Sequence, residues 1–71
     1  MIEKETLTVE WLPAYNKYRV WNTWVEDWYK TKEELLNALS RVFVLYDFVT
    51  YGTPELVKDF ENVGLELSFY E

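Results

Sequence analysis

Val42-Phe43-Val44-Leu45-Tyr46-Asp47-Phe48-Val49 is the stretch on which the element order turns. Seven of its eight residues are apolar and three are Val, a composition that suits a strand. Its spacing reads differently. Leu35, Leu39, Val42, Tyr46 and Val49 continue one stripe at helical period, with Leu36 and Phe43 beside it. Thr31-Lys32-Glu33-Glu34 opens that stripe as a capping box, in which the Thr hydroxyl and the Glu three residues on satisfy free amides reciprocally. No breaker intervenes before Gly52, so the spacing predicts one long helix from Thr31 to about Tyr51. Either way the run is apolar on more than one face.

Upstream, Leu7, Val9 and Trp11 alternate with Thr6, Thr8 and Glu10, the period of a strand with one apolar face. Pro13-Ala14-Tyr15-Asn16 reads as a turn. A second strand is expected from Lys17 to Val25, extending towards Trp28. Pairing Leu12 with Lys17 sets Trp11 against Tyr18, Glu10 against Arg19, Val9 against Val20 and Thr6 against Thr23. These are favourable cross-strand pairs. In that register Leu7, Val9, Trp11, Tyr18, Val20 and Trp24 face the core, and Trp21 and Val25 face the other way.

Downstream, Thr53-Pro54-Glu55 starts a further helix with Thr as cap and Pro at its first position. Leu56, Val57 and Phe60 give it an apolar side, and Asn62-Val63-Gly64 closes it. Leu65, Leu67 and Phe69 alternate with Glu66, Ser68 and Tyr70 as a final strand. The expected fold is α+β: a single domain over residues 1–71, ββααβ in order, with a three-stranded sheet covered on one face by two helices.

Composition excludes several functions. The 71 residues contain no Cys and no His, so thiolate chemistry, a zinc finger and a His-dependent triad are absent. Ser40 and Ser68 therefore lack a histidine base. Glu26-Asp27, Glu33-Glu34 and Asp59 with Glu61 could pair carboxylates, but a chain this short has little room for the cleft that glycoside hydrolysis needs. Asp59-Phe60-Glu61 lacks the ligands and glycine turn of a calcium loop. The expectation is no catalytic residue, no metal and no cofactor. No apolar run is long enough to span a membrane. Met1-Ile2-Glu3-Lys4-Glu5 does not read as a signal peptide, which points to a cytoplasmic location.

The charge is −6, from 13 Asp and Glu against 7 Lys and Arg, and aromatics make up 20% of the chain. The acidic balance argues against direct binding of nucleic acid. Aromatics in excess of what a small core buries point to an interaction surface. Trp21, Val25 and Tyr29 are the expected apolar anchors; Glu55, Asp59, Glu61 and Glu66, with Glu71 beyond them, are the expected acidic face. This small, acidic, Cys-free and aromatic-rich profile resembles that of phage-encoded inhibitors of host nucleic-acid enzymes, anti-CRISPR proteins and DNA mimics among them. The resemblance is one of composition. It implies a non-enzymatic protein-binding module in a host cytoplasm, docked on a basic nucleic-acid-binding enzyme. Two alternatives remain open: a structural homodimer with no ligand, and an aromatic-faced module that stacks single strands or glycans.

Overall fold

The computed structural model describes residues 4–70. Residues 1–3 and Glu71, on which the reading of the N-terminus and the last of the acids fell, lie outside the described residues. The elements are β1 (Glu5–Leu12), β2 (Lys17–Trp21), β3 (Glu26–Tyr29), α1 (Lys32–Ser40), β4 (Tyr46–Tyr51), α2 (Glu55–Asn62) and β5 (Leu67–Tyr70). The sheet is five-stranded and mixed, in the order β3-β2-β1-β4-β5. The class is α+β as expected, but the three-stranded sheet is not.

Two expected elements account for the difference. The long helix ends at Ser40, whose hydroxyl donates back to the Asn37 carbonyl at 2.9 Å. Arg41–Leu45 is a series of tight turns, with the Val42 amide on the Leu39 carbonyl at 3.1 Å and the Leu45 amide on the Val42 carbonyl at 2.9 Å. The chain then re-enters the sheet as β4, between β1 and β5 and parallel to both. That position explains the apolar excess. Phe48 points into the core, and Val49, on the opposite side of the strand, is also buried. Between two parallel neighbours Phe48, Val49 and Thr50 are buried in succession, as in the near-continuous apolar runs of parallel strands, while Asp47 and Tyr51 stand exposed on the face without helices.

The second correction lies in the expected strand from Lys17. The Asn22 side-chain oxygen accepts from the amides of Trp24 and Val25, both at 2.8 Å, and the Asn22 amide donates to the Val25 carbonyl at 2.8 Å. This Asx turn ends β2 at Trp21 and returns the chain as β3. The expected pair Thr6–Thr23 therefore does not form. Trp24, expected in the core, stands on the turn at 76% exposure. The rest of the register is as read: Leu12 opposes Lys17, Trp11 Tyr18, Glu10 Arg19 and Val9 Val20. The Trp11 and Tyr18 rings meet at 4.7 Å between centroids. Asn16, at φ 54, takes the left-handed position that closes the β1–β2 turn.

Both helices pack on one face of the sheet. Leu35 and Leu39 of α1 and Leu56 and Phe60 of α2 share one buried cluster with Leu7, Val9, Val20, Phe48 and Leu67. Phe60 is fully buried and meets Phe48 edge-on at 5.8 Å. Thr31 caps α1 by accepting from the Glu34 amide at 3.1 Å, while Glu34 reaches back to the Lys30 amide at 3.4 Å. Thr53 does not cap α2; its hydroxyl accepts from the Trp11 amide at 3.5 Å, on the part of β1 that β4 no longer pairs. A Schellman turn ends α2. The Leu65 amide donates to the Phe60 carbonyl at 2.9 Å and the Gly64 amide to the Glu61 carbonyl at 3.0 Å, with Leu65 buried beside Phe60.

Two stability predictions follow from this geometry. Gly64 has φ 78 and open space where a Cβ would sit. Gly64→Ala should therefore cost only the left-handed strain, about 1 kcal/mol in chemical denaturation. Thr50 is fully buried on β4 and its hydroxyl has no partner. Thr50→Val should raise stability by about 1 kcal/mol in the same assay, because it removes an unsatisfied polar group.

Candidate functional site

Strand direction gathers the loops. β1, β4 and β5 run parallel, β2 runs against β1, and β3 runs against β2. The segments that lead into β3, β4 and β5 therefore lie at one end of the sheet, as does Lys4 before β1. These segments are residues 22–25, 41–45 and 63–66. Helices α1 and α2 both terminate there, since each leads into one of those strands.

Among the described residues, nine large apolar or aromatic side chains are exposed, and five of them stand at this end: Trp24, Phe43, Val44, Leu45 and Val63. Val44 and Leu45 are 61% and 60% exposed. The turns that carry them are held by backbone hydrogen bonds, so the side chains are displayed on fixed supports. From this end a groove of about 460 Å³ runs onto the face of the sheet that the helices leave open. Phe43, Gly64, Glu66, Asp47, Lys4 and Tyr70 are among the residues that line it.

The rest of the open face is committed to internal contacts. Arg19 lies between Trp28 and Glu10 in one cross-strand row, with Glu26, Trp21 and Thr8 in the next. Its Nε donates to Glu26 Oε2 at 2.9 Å, its Nη2 donates to the same oxygen, and its Nη1 lies 3.6 Å from Glu10 Oε1. The guanidinium carbon sits 4.7 Å from the Trp21 ring centroid and 5.8 Å from that of Trp28, within cation–π range. The Trp21 indole donates to Glu10 at 3.0 Å. Arg19 is thus held by two carboxylates, and a phosphate would have to compete with both. Its hydrogen bonds hold the Glu26 carboxyl below the ordinary carboxylate value.

The sequence-derived anchors divide between the ends. Val25 lies in the 22–25 turn, Trp21 is the last residue of β2 beside it, Glu61 is in the last turn of α2, and Glu66 leads into β5. These four belong to the apolar end. Tyr29 ends β3 at the far end, on the helix side, where burial raises its hydroxyl pKa. Glu55 begins α2, also at the far end. Asp59 is engaged by Lys32: the ammonium lies 2.8 Å from Asp59 Oδ2, and the carboxylate holds it above its ordinary pKa. Tyr29, Glu55 and Asp59 therefore do not join the others in one surface. Trp24, Phe43, Val44, Leu45 and Val63 were not singled out as anchors. The signal for four of them was present, in the Asx-turn residue Asn22 ahead of Trp24 and in the surplus of apolar residues over 42–49.

Comparison with protein-family models, with curated proteins and with solved structures yields no match. Among the described residues no group of acidic side chains is arranged to hold a metal ion. Among the described residues no helix is long and apolar enough to cross a membrane.

The Arg19 cluster carries a pH prediction. A carboxylate with a depressed pKa in the fold stabilises it above the ordinary carboxylate range, and that contribution is lost as the pH falls through the depressed value. Arg19→Gln should return the Glu26 titration, followed by carboxyl NMR, towards its ordinary value and remove this part of the acid dependence. An unchanged Glu26 titration in that variant would break the assignment.

Proposed function

We propose that this chain is a non-enzymatic protein-interaction module that grips its partner with the end formed by residues 22–25, 41–45 and 63–66. The observation that carries this reading is the gathering of Trp24, Phe43, Val44, Leu45 and Val63 at one end. A folded chain with a sufficient core has no reason of stability to display three successive apolar side chains on a tight turn. Exposed apolar patches mark interaction surfaces, and Trp is among the residues most enriched at interface anchors. Glu61 and Glu66 at the rim add the acidic character that suits a basic partner. A nucleic-acid-binding enzyme, blocked by occupation of its surface, belongs to that class. The docking is electrostatically steered in this reading, so association slows as salt rises.

Photo-crosslinking tests the assignment of the surface. A photoreactive residue at position 44 should couple the chain to a second protein, whereas one at position 33, on the exposed side of α1, should not. The double variant Trp24→Ser/Leu45→Ser should keep its denaturation midpoint within about 0.5 kcal/mol, as surface changes do. It should lose partner binding by about tenfold or more, as loss of anchors does. Equal binding by this variant would overturn the reading. A crosslink to a second copy of the chain would make the module a homodimer through the same end.

A further inference from the structure

We propose that the partner element received at this end is a cationic amphipathic segment, with apolar side chains over Phe43, Leu45 and Val63 and Lys or Arg side chains directed to Asp47, Glu61 and Glu66. The inference rests on the docking end described above and adds the chemistry of its occupant.

Three observations converge on a cation. The first is the end of α2. A helix C-terminus is the negative end of the dipole and is normally accompanied by a basic residue. The last turn of α2 has none, and Glu61 lies within it. At the end of α1, by contrast, the cap residue is Arg41. Negative potential is thus concentrated on the side of β4 and β5. The second is the ion pairing. The pairs among the described residues join Arg19 to Glu10 and Glu26 and Lys32 to Asp59. Asp47, Glu61 and Glu66 take no part in them, so their charge is available to a ligand. The third is the groove. Asp47 and Glu66 line it together with Phe43 and Tyr70, and Lys4 is the one cation among its lining residues. A Lys or Arg side chain fits such a lining along its length, with an aliphatic stem against the rings and a charged head at the carboxylates. An anionic segment would meet the same potential as repulsion.

The test titrates the full, nitrogen-15-labelled chain with three helical peptides of about 18 residues, five turns in length. One has a Leu face and a Lys face, one a Leu face and a Glu face, and one a Ser face and a Lys face. The Leu/Lys peptide should shift amides of residues 41–47 and 61–66, and it should bind at least about tenfold more tightly than either other peptide at low salt. The triple variant Asp47→Asn/Glu61→Gln/Glu66→Gln should bring the Leu/Lys and Leu/Glu peptides to within about twofold of each other. Equal binding of those two by the unaltered chain at these amides would overturn the cationic partner while leaving the docking end in place. Equal binding of the Ser/Lys peptide there would overturn the amphipathic partner, since charge alone would suffice. Shifts confined to the opposite end, or no shift with any peptide at millimolar concentration, would overturn both the partner and the docking end.

Discussion

The pairing of β1 with β4 organises this molecule. It joins Glu5–Thr8 to Tyr46–Val49 in parallel register, across about forty residues of intervening chain. Everything else is arranged around it. β2 and β3 extend the sheet on one side of β1 through local hairpins, and β5 extends it on the other side of β4 through α2. A parallel neighbour cannot be reached by a tight turn, so α1 and α2 must run back along the sheet. That return brings both helix C-termini and the loops behind them to one end. The apolar end is a consequence of the strand direction that the β1–β4 pair imposes.

The same pairing divides the two faces of the sheet between different tasks. The helix face buries Leu7, Val9, Val20, Phe48 and Leu67 against Leu35, Leu39, Leu56 and Phe60, and it provides the core. Over β2 and β3 the open face carries residues that satisfy one another: Arg19 by Glu10 and Glu26, Trp21 by Glu10, and the rings of Trp21 and Trp28 by the guanidinium within cation–π range of both. Among the described residues, six of the nine exposed large apolar side chains lie on loops. An open face rich in Trp would suit the stacking of bases in isolation. Here the one arginine that could hold a phosphate beside those rings is bound to two carboxylates.

Much of the local structure was legible from residue types. The β1–β2 register followed from cross-strand chemistry, because a one-residue slip would have placed Glu10 against Val20 and turned every side chain over. The start of α1 followed from Thr31 and Glu34, and the end of α2 from Gly64. The candidate site was legible in part. Glu61, Glu66, Val25 and Trp21 share the apolar end, whereas Glu55 and Tyr29 are placed at the other end by strand direction and Asp59 is engaged by Lys32. The surplus of apolar residues over 42–49 was visible, whereas its division into three exposed turn residues and a central strand was not.

The sequence by itself determined what short-range physics decides: the β1–β2 register, the Thr31 cap of α1, the Gly64 stop of α2, the acidic balance and the absence of Cys and His chemistry. The tertiary structure alone decided that residues 46–51 became strand rather than helix, with turns over 41–45. Their helical spacing and their strand-like composition are closely matched locally. The choice falls to the form that finds partners in the fold: β1 and β5 supply the hydrogen-bonding edges that a helix could not use. Which loops share an end is likewise a property of strand direction, and no local interaction encodes it.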